Sequence, residues 1–224
     1  MSTMHDVHAS NRAWIVETLA GLDDAGWTSW TLCAGWDVED LTAHLVARER
    51  HQIAAAGIVV PALRPMHERA MAREAARGRE ALVERLAAGP PLGRLMDWAN
   101  ALEFWIHAED VARGGLGIER DEPEGREADL LWRILTRNAR FAFRSVDTGG
   151  VLAIADTGSG REVAFRLGGR IARGADPAAA DVRLTGSVGE LTLWVSGRTQ
   201  APQVTLSPGE HPLAAALAAA RLGI

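Results

Sequence analysis

Residues 95–115, LMDWANALEFWIHAEDVARGG, would be apolar on nearly every side of a helix, yet several polar residues fall on one line. At roughly 100° per residue, Asn100, Glu103, His107 and Asp110 share a narrow stripe. Trp98, Leu102, Phe104, Trp105 and Ile106 cover most of the remaining circumference. Such a helix is usually central in its domain, so other elements must surround it. Burying a carboxylate and an imidazole there is costly unless they are paired or bound to metal. Glu103 and His107 are four residues apart and can converge on one point. Spacing alone leaves open a Glu–His pair that satisfies itself, a stripe facing a wet cleft, and part of a ligand set.

The surrounding elements are readable from periodicity. Residues 7–21, 37–56, 66–88, 95–113 and 126–145 are the candidate helices. Gly and Pro cluster between them, at Pro61 with Pro65, in GPPLG at 89–93 and in GGLG at 114–117. The character changes near residue 145. VLAIADT (151–157) and EVAFRLGG (162–169), joined through GSGR, suggest a hairpin, and VRLTG (182–186) a third strand. In SVGELTLWVSG, Ser187 and Glu190 form an S-x-x-E capping box and Gly197 is a natural stop. A last Ala-rich helix begins at Pro212. The expected architecture is mainly α, with a helical bundle over residues 1–147 and a small α+β domain over 148–224.

Composition removes several functions. The net charge of -5 argues against nucleic acid or an anionic membrane as main partner. All 24 basic residues are Arg, which excludes Schiff-base lysines and a P-loop lysine, and the absence of Tyr excludes a tyrosine acid or nucleophile. The single cysteine, Cys33, allows no internal disulfide and suits a cytoplasmic setting. MSTMHDVHAS has no apolar core and reads as a mature start, and AAAGIVVPAL near residue 60 is too short to span a membrane.

Outside the central helix, the residue patterns give few candidates. Asp37 is a good N-cap for the second helix, with Asp40 three positions on. His44 lies at the edge of the apolar face made by Val38, Leu41 and Leu45, on the side of Asp37, Asp40, Arg48 and His51; a solvated polar face is an equal reading. His51 is roughly 10 Å further along the axis, too far to share an ion with His44, though it could line a pocket. Cys33 has no His/Asp partner at a recognisable spacing and reads as a packing residue. His5, His8 and His67 read as surface residues, and Arg198 as a solvated arginine near a helix end.

WTLCAGWDVEDLTAHLVARER (30–50) together with EFWIHAEDVARGG (103–115) resembles the metal-binding domain of the mycothiol-dependent maleylpyruvate isomerase family, a branch of the DinB-like four-helix metal proteins. The motifs are a C-x-G-W turn, a histidine in an A-H-L context, and a later E-x-x-x-H helix. The resemblance implies a divalent metal, zinc by preference, on His44, Glu103 and His107. LTGSVGELTLWVSGR (184–198) is similar to that family's small C-terminal domain, and Arg198 matches its W-x-x-G-R arginine. HQIAAAGIVVPAL (51–63) looks like a subgroup described only as metal-binding. The Arg/Ala bias without Lys suits a GC-rich actinobacterial genome, where mycothiol would be available.

Three ligands leave a position open for water or substrate. The resemblance therefore implies a small-molecule thiol as cofactor and a small anionic substrate. The thiol, as thiolate, would add to the cis double bond of a diacid. Rotation about the resulting single bond and expulsion of the thiol would then give the trans isomer. Three functions stay open: a mycothiol-dependent isomerase or thiol transferase, a non-catalytic metal-binding sensor or interaction protein, and a metal-dependent hydrolase using Asp110 or Glu49 as base.

Overall fold

Helix breaks in the sequence set the order of elements in the computed structural model, which describes residues 2–51, 60–91, 97–169, 171–200, 202–220 and 222. The chain divides into two units, Met1–Arg120 and Asp121–Ile224. The helices of the first unit are α1 (Ser2–Ala20), the single turn α2 (Asp24–Trp27), α3 (Val38–Arg50), α4 (Arg64–Ala75), α5 (Arg79–Ala88) and α6 (Asp97–Ala112). Asp37 caps α3 as its sequence implies, accepting the Asp40 N–H at 2.8 Å. Positions 52–56 of the expected second helix and 95–96 of the fourth lie outside the described residues.

The expected helix over 66–88 is two helices. Arg77 N–H donates to Glu74 O and Gly78 N–H to Ala75 O, which tightens the end of α4. Gly78 then takes φ +86°, a conformation that breaks a continuous helix and suits glycine. The result is a four-helix bundle whose third member is interrupted. Apolar positions spaced by three and four bring Ile15 and Leu19 of α1, Leu41 and Leu45 of α3, Leu82 and Leu86 of α5 and Phe104 of α6 into one core cluster. Burying each such side chain fully stabilises by about 1.5–3 kcal/mol.

The second unit begins with α7 (Gly125–Ala142) and holds strands β1 (Gly150–Asp156), β2 (Glu162–Leu167), β3 (Ala172–Arg173), β4 (Val182–Gly186) and β5 (Thr205–Ser207), with helices α8 (Val188–Val195) and α9 (Pro212–Ala219). Helix α7 packs against α8, and it lies in the second compact unit, which begins at Asp121. Its apolar face, with Leu130, Leu131, Leu135 and Ala139 buried, announces a partner but not which one. The sheet order is β3-β2-β1-β4-β5. The expected hairpin pairs Leu152 with Phe165, and β4 joins parallel to β1 with Val182 opposite Leu152. Ser187 caps α8, accepting the Glu190 N–H at 3.3 Å. The helix closes with Arg198 N–H on Leu193 O and Gly197 N–H on Trp194 O, with Gly197 at φ +92°, a Schellman ending. No helix among the described residues is long and apolar enough to cross a membrane.

Candidate metal centre

The i,i+4 spacing of Glu103 and His107 on α6 does bring the two side chains together, with His107 Nε2 3.4 Å from Glu103 Oε2. His44 reaches the same point from α3, and the ligand-type atoms of His44, Glu103 and His107 all lie within 4.8 Å of one another. Both imidazoles are buried and Glu103 is half-buried. The His44 ring sits among three aromatic neighbours, with centroids 4.9 Å from Trp36, 5.0 Å from His67 and 5.2 Å from His107.

Each histidine is held through Nδ1. His107 Nδ1 is 2.8 Å from Asp110 Oδ2, and His44 Nδ1 is 2.9 Å from His67 Nε2. A carboxylate cannot donate when ionised, so Nδ1 of His107 carries a proton towards Asp110. Arg48, one turn beyond His44, places Nε 3.5 Å from Glu103 Oε2 and donates to Asn100 Oδ1. The polar stripe read from α6 is therefore occupied along its length, by Arg48 at Asn100 and Glu103 and by Cys33 at Asp110.

The charges follow these contacts. Burial, followed by the neighbouring His107, pushes the His44 imidazole well below its ordinary value, so it is neutral at pH 7. Burial would likewise lower His107, but the Asp110 hydrogen bond, with Cys33 and Glu103 behind it, holds it well above. Burial would raise Glu103, yet the His107 hydrogen bond and the Arg48 charge keep it far below the usual carboxylate range. His107 is thus an imidazolium between two carboxylates, and a metal held here would take the place of its Nε2 proton.

Several expectations need correction. Cys33 is not an isolated packing residue: its Sγ is 3.1 Å from Asp110 Oδ2 and 3.9 Å from His107 Nδ1. His67 is buried against His44 and is no surface residue. His8 is also buried, edge-on to Phe104 at 4.7 Å and beside Glu49. His51 does not line the centre; its Nε2 is 2.7 Å from Glu74 Oε1, a carboxylate that also takes Arg85 at 2.7 Å. Glu49 is bound by Arg12 and His8, and Asp110 is fully buried and bound by His107 and Cys33. Neither carboxylate stands ready as a base for water. Arg198 donates from Nη1 to the Ser196 carbonyl at 2.9 Å.

Two signals in the sequence pointed to these missed residues. His67, Ala70 and Glu74 are spaced by three and four along α4 and all three are buried, a stripe that would have placed His67 on the inner face. The second signal is Gly114. A Cβ there would lie 2.2 Å from the Trp30 carbonyl oxygen, so the Cys33 turn lies flat against the end of α6.

The donor set suits a divalent metal. Two imidazoles and a carboxylate make a mixed N/O set of the kind zinc accepts, and an outer hydrogen bond on each histidine is how ligating imidazoles are normally fixed. Residues 9–91 match the family model described as the mycothiol maleylpyruvate isomerase N-terminal domain. The matched segment includes Cys33, His44 and His67, while Glu103 and His107 lie beyond it. Crystal structures of the mycothiol-dependent maleylpyruvate isomerase, one of a histidine-to-alanine mutant, are similar in fold. Each has a TM-score of 0.60 with 93% of both chains covered, at 20% identity and, for the mutant, 19%. The fold is accordingly a DinB-like helical bundle followed by a small α+β unit. No curated protein matches the sequence.

Proposed function

We propose that the first unit binds one divalent metal, zinc by preference, through His44, Glu103 and His107, and that the chain is a mycothiol-dependent isomerase or thiol transferase of the maleylpyruvate isomerase type, acting in the cytoplasm. The observation that carries the metal assignment is the convergence of the three side chains, with the outer nitrogen of each histidine already engaged. The thiol assignment rests on the matched domain.

When bound, such a metal supplies a positive field that favours the thiolate form of a thiol at neutral pH. The chain's own residues do the remainder. Asp110 fixes the His107 ring from Nδ1, and Cys33 adds a second donor to that carboxylate. Arg48 holds Glu103 by charge. Arg198, at the end of α8, is the cation we assign to a carboxylate of the thiol cofactor or of the diacid, since a guanidinium can bind a carboxylate through two parallel hydrogen bonds.

A hydrolase is the weaker reading because Glu49 and Asp110 are both engaged. A non-catalytic metal-binding module differs from the proposal in one measurable respect, the binding of thiol. Metal analysis should find about one equivalent per chain, as expected for a single three-ligand site. His44→Ala, Glu103→Ala and His107→Ala should each reduce it sharply; unchanged stoichiometry in all three overturns the centre. Calorimetric titration of the metal-loaded protein with mycothiol then separates enzyme from module, and no thiol binding would reject the enzyme.

A further inference from the structure

His44 Nδ1 faces His67, which leaves Nε2 as the nitrogen a metal would use. A neutral imidazole has one N–H and one lone pair, so the two nitrogens cannot both accept. His44 Nδ1 and His67 Nε2 are 2.9 Å apart, both rings are buried, and the rings meet edge to face. A single proton lies between these two nitrogens, and its owner decides what His44 offers at Nε2. If His67 owns it, the His44 proton moves to Nε2 and points away from the hydrogen bond, where a ligand lone pair is needed. If His44 owns it, Nε2 is bare and available.

From this we infer that His67 is the positioning residue of the centre: it accepts the His44 Nδ1–H at Nε2 and so fixes His44 in its metal-binding tautomer. The inference rests on the proposed metal centre and adds a residue outside its ligand set. His67 stands to His44 as Asp110 stands to His107, with a neutral acceptor in place of a charged one. With Nε2 accepting, the single His67 proton must sit on Nδ1, a buried nitrogen that has no hydrogen-bond partner.

Two measurements test it. In the first, zinc affinity is read by competition with a chromophoric chelator in wild type, His67→Phe and His67→Gln. Phe keeps a ring without an acceptor, whereas Gln offers a carbonyl oxygen to the His44 N–H. His67→Phe should bind zinc about 10–100-fold more weakly, the usual effect of losing an outer partner of a ligating histidine, and His67→Gln should recover most of the loss. Wild-type affinity in His67→Phe, or equal weakening in both variants, overturns the inference. The second needs no variant. Nitrogen-15 spectra of the zinc-loaded wild type should show the His67 proton on Nδ1 and His44 protonated at Nδ1; a His67 proton on Nε2 overturns it. If wild type binds no zinc at all, the metal centre itself falls, an outcome separate from either of these.

Discussion

Replacing Gly114 with alanine tests how the Cys33 turn is held on α6. The added Cβ would lie 2.2 Å from Trp30 O, 2.9 Å from Thr31 Cα and 3.1 Å from Asp110 O. All three are backbone atoms, so no rotamer change relieves the clash. Restoring ordinary contact requires the turn to lift by about 1 Å. Two hydrogen bonds oppose that movement, Gly115 N–H to Trp30 O at 2.7 Å and Leu32 N–H to Asp110 O at 3.2 Å. Losing both costs about 1–3 kcal/mol net, and overpacking that remains costs about 1–3 kcal/mol. The expected destabilisation is therefore about 2–6 kcal/mol, read as a shift of the urea midpoint at constant slope. Gly35→Ala is the control. It lies in the same turn at φ +82° with nothing within 4 Å of a Cβ, so it should lose only about 1–2 kcal/mol from the left-handed backbone. A loss at Gly114 no larger than about 0.5 kcal/mol, the range of an ordinary surface change, would refute the close approach.

Asp110→Ala should lower zinc affinity about 10–100-fold through the loss of the His107 partner, whereas Cys33→Ser, which keeps a donor to Asp110, should retain metal and thiol-dependent activity; loss of turnover in a folded, metal-loaded Cys33→Ser protein would move the nucleophile into the chain. Arg198→Ala should keep metal and fold but lose about 2 kcal/mol or more of anionic-ligand binding, with Arg198→Lys restoring only part; equal affinity by calorimetry would leave Arg198 a helix-end residue. For Glu49, burial alone would raise its pKa, but the His8 and Arg12 hydrogen bonds hold it below the ordinary carboxylate value. Its folded pKa being depressed, its contribution to stability is full above the unfolded value and is lost as pH falls through the folded one, so Glu49→Gln should flatten the acid limb of a stability–pH curve. An unchanged acid limb would count against that pairing.

What the sequence disclosed depended on how local the geometry was. The α6 stripe was legible because residues three and four apart on a helix must share a face. The capped starts of α3 and α8 were legible because a cap is a contact across three residues. His44 was not settled by periodicity, since a histidine at the edge of an apolar face reads equally as solvated, and the family motif selected it. Cys33 was misjudged because its partners are 74 and 77 positions away, beyond any spacing rule. The edge strands β3 and β5, only two and three residues long, show no buried alternation, so there was no period to find. Helix α7 was found, but its packing partner was not, because amphipathicity states that a face is covered and is silent on what covers it.

The charges at the centre bear on which ligand the proposed metal would favour at its open position. Around His107 stand two carboxylates, Glu103 and Asp110, and two cations, Arg48 and His107 itself. The four balance, which is how a largely apolar bundle tolerates them in a buried place. Under the proposed function, exchange of the His107 Nε2 proton for a divalent ion leaves this set one charge positive. A neutral ligand would leave the excess uncompensated in a poorly solvated site, and a thiolate would cancel it. His44, with its neutral partner His67, adds a nitrogen without altering the sum. An acid in place of His67 would itself cancel the excess and weaken the preference for an anionic ligand. The neutral acceptor on one histidine and the charged acceptor on the other thus belong to the same electrostatic argument: with a metal bound as proposed, they would leave room for one negative charge, which the thiolate of the proposed cofactor would bring.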